Sequence, residues 1–198
     1  MRYPADHKAK TRAKILEAAG RVFRRRGYHA TGVDAVMGEA GLTPGGFYAH
    51  FGSKEDLLAD ALAQAADSVD ARRDRALDGL SGRAWAEAFV AYYLSPSHRL
   101  ADEDGCPLAA LISEVAHAGE PVKRSFEAVV LRLAARLADE DPPADDRAFA
   151  ILALCVGGLG LARSVRDEAL AGRVLDACRT LAGTLLADDP PPGGPAGG

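Results

Sequence analysis

The stretch Thr31-Gly-Val-Asp-Ala-Val-Met-Gly-Glu-Ala-Gly-Leu-Thr-Pro-Gly-Gly-Phe-Tyr-Ala-His-Phe-Gly-Ser-Lys-Glu-Asp-Leu57 sets how the rest of this chain is read. Val33, Val36, Met37 and Ala40 recur at helical spacing, and Gly41 stops the run. Thr31 stands three residues before Asp34, a capping-box-like start for that helix. Thr43 followed by Pro44 is a cap plus a first-turn proline, and it opens a second short helix carrying Phe47, Tyr48 and Phe51. Gly52 ends it, and Ser53 with Asp56 caps a longer helix. Two short helices over 32–51, joined by a tight turn at Gly41, predict a helix-turn-helix. From spacing alone, an ordinary αα-hairpin of a bundle is the competing reading.

Helical patterning continues on both sides. Upstream, Ile15, Ala19, Val22 and Phe23 line a helix over 8–26, with Leu16 beside them and Gly27 as its stop. Downstream, Leu58, Leu62, Ala65 and Val69 recur along a helix over 53–80. Further helices carry Trp85, Phe89, Tyr92 and Tyr93, then Leu108, Leu111, Ile112 and Val115, then Val122, Phe126, Val129, Leu133 and Leu137. Ser95 to Gly105 reads as a polar loop, and Asp139-Glu-Asp-Pro-Pro143 as a break. Two final helices are expected at about 145–166 and 171–187. The Pro/Gly-rich residues 188–198 are expected to be a disordered tail. With no strand alternation and no internal repeat, the fold class is all-α, with about nine helices.

The chain has 198 residues, 48% of them hydrophobic and 26% charged, enough apolar material for a packed core. Its net charge of -4 is uneven. Residues 1–54 hold ten Lys/Arg against four Asp/Glu, net +6, and residues 55–198 hold 14 against 24, net -10. A basic quarter on an acidic body suits a polyanion, either nucleic acid or an anionic lipid surface; the plainer alternative is a solvated basic helix. Cys106, Cys155 and Cys178 are odd in number and lack CxxC spacing, which argues against a disulfide framework and a structural zinc site. His7, His29, His50, His98 and His117 show no metal-ligand spacing. There is no P-loop and no glycine-rich dinucleotide motif, so no cofactor or metal is expected, nor any catalytic constellation. The N-terminus has no apolar signal core, and the longest uncharged run, Ala148 to Ala162, is short for a bilayer span. A reduced, soluble, cytoplasmic protein is expected.

The quoted stretch, with its Gly-Phe-Tyr-Ala-His-Phe-Gly-Ser-Lys-Glu string, resembles the N-terminal domain of the TetR/AcrR family of transcriptional regulators. Thr11-Arg-Ala-Lys-Ile-Leu-Glu-Ala-Ala-Gly-Arg-Val-Phe-Arg-Arg-Arg-Gly-Tyr28 resembles that family's first helix. The resemblance implies a dimeric, ligand-responsive repressor on a pseudo-palindromic operator. Residues 1–52 would be a three-helix DNA-binding domain, and 53–187 a helical ligand-binding and dimerisation domain. It places Thr31 at the backbone-contacting residue before the second helix. Thr43, Gly45, Gly46, Tyr48 and His50 fall on recognition-helix positions, Tyr48 and Lys54 on phosphate contacts, and Phe47 and Phe51 in the core of the head. Pro44 and Ala49 depart from the common pattern, leaving few long side chains to read bases. His50 reads equally as a base contact or as a junction residue. Arg24, Arg25 and Arg26 read as further phosphate contacts or as a solvated face.

Trp85, Phe89, Tyr92, Tyr93, Cys106, Leu111, Phe126 and Val130 are candidates for an effector pocket, against plain core packing. Phe149, Leu152, Val156 and Leu159 on one helix, and Val174, Cys178, Leu181 and Leu185 on the next, are expected to form a four-helix dimer interface; an internal core is the alternative. Cys106, between Gly105 and Pro107 at a helix start, reads either as a thiol sensor or as a small buried hydrophobe. The rival function is an α-helical enzyme acting on the pocket ligand, which the missing acid/base pair disfavours. A membrane-surface role for the first helix is weakened because Ile15, Val22 and Phe23 are needed for the core.

Overall fold

The computed structural model describes residues 5–101, 106–139 and 146–187. Among them are nine α-helices, one 3-10 helix and no strand, in agreement with the all-α expectation. The order is α1 (Ala5–Arg26), α2 (Val33–Glu39), the 3-10 helix (Pro44–Ala49), α3 (Lys54–Ala76), α4 (Gly82–Tyr93), α5 (Pro96–Arg99), α6 (Pro107–Ala116), α7 (Glu120–Ala138), α8 (Arg147–Ser164) and α9 (Glu168–Ala187). The expected tail at 188–198 lies outside the described residues. These elements divide into two compact units. The first contains α1, α2, the 3-10 helix, α3, α6 and residues 120–132 of α7; the second contains α4, α5, the rest of α7, α8 and α9.

In the first unit, α1 packs chiefly on α3 and α2. Ile15, Ala18, Ala19, Val22 and Phe23 are buried, as are Leu57, Leu58, Ala61 and Leu62 of α3. Each large side chain buried in this way contributes about 1.5–3 kcal/mol. Gly27 (φ 78°) ends α1, where a Cβ would be strained. Gly41 (φ 65°) ends α2 in a Schellman arrangement. Its N–H donates to the Gly38 carbonyl at 2.9 Å, and the Leu42 N–H donates to Met37 at 2.9 Å. At the start of α3, Ser53 Oγ accepts the Asp56 N–H at 3.0 Å, as the sequence predicts.

Two local expectations are corrected here. The residue capping α2 is Gly32, with no side-chain cap bond, and not Thr31. Thr31 is buried, and its Oγ1 donates backward to the Gly27 carbonyl at 2.7 Å, closing the α1–α2 turn. The second short helix is a 3-10 helix, with the Gly46 N–H on Thr43 (3.2 Å) and the His50 N–H on Phe47 (2.9 Å). Six residues that include Pro44, Gly45 and Gly46 are too short and too glycine-rich to propagate an α-helix.

The α6–α7 segment is fastened to the same unit by carboxylates and a hydroxyl. Glu114 Oε2 accepts the His29 N–H at 3.2 Å, Glu55 Oε1 accepts the Gly119 N–H at 3.2 Å, and Ser125 Oγ donates to Ala59 at 2.8 Å. Arg132 reaches Asp67 (3.1 Å) and Asp70 (2.8 Å). Ile112, expected on the inner face of α6, is instead half exposed.

In the second unit, α8 and α9 form the main contact. Leu152, Val156 and Leu159 point into the protomer, along with Ile151 and Cys155. For these three, the internal-core alternative is the one realised, whereas Phe149 is half-buried. The outward stripe of α8 is Ala150, Ala153, Gly157 and Leu161, the last 61% exposed. Because α8 is apolar on every side, periodicity could not distinguish its two faces. On α9, Val174, Cys178 and Leu185 are half-buried and Leu181 is exposed. The expected loop at 95–105 contains α5, whose start is closed by Ser95 Oγ accepting the His98 N–H at 3.1 Å. Arg163 holds α5 to α8 by donating to the carbonyls of Arg99 (3.1 Å) and His98 (2.7 Å). Residues 102–105 of that loop lie outside the described residues.

At Gly158 α8 lies tight against α9. A Cβ there would lie 2.7 Å from Cys178 Sγ and 3.2 Å from Leu94 Cδ2. Gly158→Ala is expected to cost about 1–3 kcal/mol in urea denaturation through overpacking. Adding Cys178→Ala should restore part of that loss, a non-additivity that marks direct contact.

Candidate nucleic-acid interface

The 3-10 helix is held by one buried ring and displays another. Phe47 is buried and stacks on Phe51 at 5.7 Å. Tyr48 meets the edge of Phe47 at 5.1 Å, yet is 76% exposed. One aromatic therefore fixes the segment while its neighbour carries a phenol into solvent. Thr43, Pro44, Gly45 and Ala49 are exposed, and Gly46 and His50 are half-buried. A Cβ on Gly45 would meet nothing within 4 Å, so the backbone there is open to close approach.

Lys54, the first residue of α3, lies with Nζ 4.1 Å from the centre of the Tyr28 ring. Tyr28 is buried against Phe23 at 5.5 Å, so the ammonium rests on a fixed aromatic face. Desolvation lowers the Lys54 pKa, and Glu114 opposes that shift. Burial, then the charges of Lys8, Arg12 and His7, lower the pKa of His50 and favour its neutral ring. Its Nδ1 is buried and has no hydrogen-bond partner.

Lys8 and Arg12 therefore stand beside the 3-10 helix, a placement the sequence reading missed. The signal present in the sequence is the basic residues at the start of the first helix, Lys8, Lys10, Arg12 and Lys14. Arg12 pairs with Asp60 and lies 4.9 Å from the Phe51 ring centre. Lys14 Nζ lies near the Gly41 turn, 3.7 Å from where a Cβ would be. At the other end of α1 the arginines meet acids. Arg21 pairs with Glu17 (2.7 Å) and lies 3.7 Å from Glu39, and Arg25 reaches Glu39 at 3.2 Å.

Thr43, Gly45, Gly46, Tyr48 and His50 share one segment that leads into Lys54. Thr31 does not join them as a side chain, because it is 1% exposed and its hydroxyl is already used. An exposed phenol, an ammonium and open glycine backbone are groups suited to phosphate oxygens.

The eight candidate pocket residues fall in both units. In the second, Trp85 stacks on Phe89 at 5.2 Å, Phe89 packs on Tyr93 at 5.4 Å, and Tyr92 stacks on His98 at 5.4 Å. His98 Nδ1 contacts the Tyr93 carbonyl at 2.8 Å, and burial lowers its pKa. In the first unit, Cys106 and Leu111 are buried, and Phe126 and Val130 are half-buried. Among the described residues, no three His, Cys, Asp or Glu side chains converge on a potential metal site.

The family "Bacterial regulatory proteins, tetR family" matches residues 15–61, the span that carries this geometry. An uncharacterized HTH-type transcriptional regulator of Mycobacterium tuberculosis, Rv0196, is 30% identical over 172 residues, covering 79% of this chain and 86% of that one. The chain belongs to the TetR family. A second relative, the uncharacterized HTH-type regulator YxaF of Bacillus subtilis, is 28% identical, with 80% of this chain and 87% of that one covered. A TetR transcriptional regulator from Chloroflexus aurantiacus has the same fold, with a TM-score of 0.73 at 25% identity over 92% of this chain and 96% of that one. This TetR-family chain is accordingly a DNA-binding transcriptional regulator and not an enzyme. Regulators of the family usually act as dimers.

The hydroxyl of Thr31 sets the turn that leads into the TetR-family head. Thr31→Val is expected to lower thermal stability by about 1–2 kcal/mol, because the Gly27 carbonyl loses its buried donor. Thr31→Ser should retain more of that stability.

Proposed function

We propose that this chain is an effector-responsive repressor that binds a pseudo-palindromic operator as a homodimer, with residues 1–52 as its DNA-binding head. The observation that carries this reading is Tyr48, held out into solvent from the buried Phe47 anchor and followed by Lys54 on the Tyr28 ring. Tyr48 and Lys54 take phosphates, Gly45 and Gly46 admit the backbone, and Thr43 reads a base edge, with Ala49 against a thymine methyl. His50 approaches the DNA as a neutral ring whose buried nitrogen lacks a partner. Lys8 and Arg12 add positive charge beside it. So few long side chains leave a large share of specificity to DNA shape.

Residues 53–187 serve ligand binding and dimerisation in this reading. The dimer forms through the outward faces of α8 and α9, where Ala153, Gly157 and Leu161 stand on one helix and Val174, Leu181 and Leu185 on the other. Exposed leucines beside small residues support this, since they leave apolar area uncovered and let helices approach closely. The two heads then meet successive major grooves about 34–36 Å apart. A small apolar effector that favours another conformation releases the DNA, by no more than its differential affinity for the two states. The aromatic group of Trp85, Phe89 and Tyr93 supplies its apolar contacts. Cys106 is only 4% exposed, which favours a packing role over thiol modification. Acting on chromosomal DNA, the protein resides in the cytoplasm in this reading.

Operator DNA selected from a random pool tests the head. Tyr48→Phe with Lys54→Gln is expected to weaken binding at least about tenfold in fluorescence anisotropy and to lower the salt slope by roughly one. Unchanged affinity would remove the assignment. For the dimer, Leu161→Arg with Leu181→Arg should give a folded monomer in sedimentation velocity; a persistent dimer would move the interface elsewhere.

A further inference from the structure

Glu114 of α6 carries a mostly buried carboxylate, with its side chain 19% exposed. It reaches out of α6 into the turn that follows α1. Its Oε2 accepts the His29 N–H at 3.2 Å and lies 3.4 Å from His29 Nε2. Its Oε1 takes the space a side chain would need at position 27: a Cβ on Gly27 would lie 2.7 Å from it. The carboxylate thus grips the residues on either side of Tyr28. Glu55 of α3 makes the reverse contact. It accepts the Gly119 N–H at 3.2 Å, and a Cβ on Gly119 would lie 2.7 Å from its Oε2. Burial raises the pKa of the Tyr28 hydroxyl, and the charges of Glu55 and Glu114 raise it further.

Lys54 rests on this same ring, with Nζ 4.1 Å from its centre. The position is unfavourable for a cation. Lys54 is the first residue of α3, where the helix dipole disfavours positive charge. It is also half-buried, so its ammonium loses water. The face of Tyr28 and the charge of Glu114 offset those costs. The same carboxylate works against an incoming phosphate. A phosphate that reaches Lys54 shares the ammonium with Glu114 and meets the repulsion of a negative charge that is fastened in place.

We infer that Glu114 is a positioning residue for the Lys54 contact and limits its strength: the fixed carboxylate holds the ammonium over Tyr28 and opposes the phosphate that Lys54 receives. This rests on the reading of Lys54 as a phosphate contact. Phosphate contacts carry no sequence information, so Glu114 restrains binding to every duplex alike.

The test is a double-mutant cycle on the full chain, read by fluorescence anisotropy at one salt concentration. Glu114→Gln removes the charge but keeps an acceptor for the His29 amide, so the fold should be retained in thermal melting. Its affinity should rise about threefold, for selected operator DNA and for a random duplex equally. With Lys54→Gln already in place, the same substitution should leave affinity nearly unchanged. A carboxylate that only braces the turn gives no gain in Glu114→Gln. Affinity equal to or below that of the native chain overturns the inference, as does a gain of the same size with Lys54→Gln present. Native affinity in Lys54→Gln alone is a separate outcome: it overturns the phosphate reading, and this inference with it.

Discussion

The first unit depends on α1 hiding one face along its length. Ile15, Ala19, Val22 and Phe23 leave water only because α3 presents Leu57, Leu58, Ala61 and Leu62. That contact decides where α1 can end, so the left-handed Gly27 and the buried Thr31 hydroxyl follow from it. It also sets the start of α3, and with it Lys54 over Tyr28. Small residues at 20, 61 and 65 let the two helices approach: a Cβ on Gly20 would already touch Ala65 Cβ at 3.9 Å.

Charge in the head is arranged by separation more than by amount. The start of α1 places Lys8 and Arg12 near the 3-10 helix, whereas Arg21 and Arg25 meet Glu39. A basic segment of uniform appearance in sequence therefore has one end beside His50 and Phe51, while Arg21 and Arg25 further along meet Glu39 of α2. The lowered pKa of His50 follows first from its burial and then from the charges of Lys8, Arg12 and His7. Such crowding of cations costs stability, and it is tolerated where a ligand of opposite charge relieves it.

Much of this was legible in the sequence. Glycine stops, the Thr43-Pro44 start and the Ser53 cap were local signals, and the elements formed where they pointed. Thr31 misled because a hydroxyl can cap forward or bond backward, and only the packed turn selects between them. The 3-10 helix was missed because spacing marks apolar positions and says little about backbone winding across Gly45-Gly46. On α8, leucines and glycines surround the axis, so which residues face inward depends on α9 and could not be inferred from the helix alone. Lys8 and Arg12 were visible as charge, but their nearness to His50 spans some forty positions of chain and needed the fold.

The first unit is discontinuous in sequence. Glu114, Gly119 and Ser125 return after a long excursion to hold His29, Glu55 and Ala59. Regulator heads are attractive parts for chimeras, in which one protein's DNA specificity is joined to another's response. Here a graft cut by chain order near residue 52 or 76 would take α1 and α2 but leave behind the carboxylate that receives the His29 amide. A portable module must also carry the surface of α6 and the start of α7, or have those three anchor points rebuilt in the recipient.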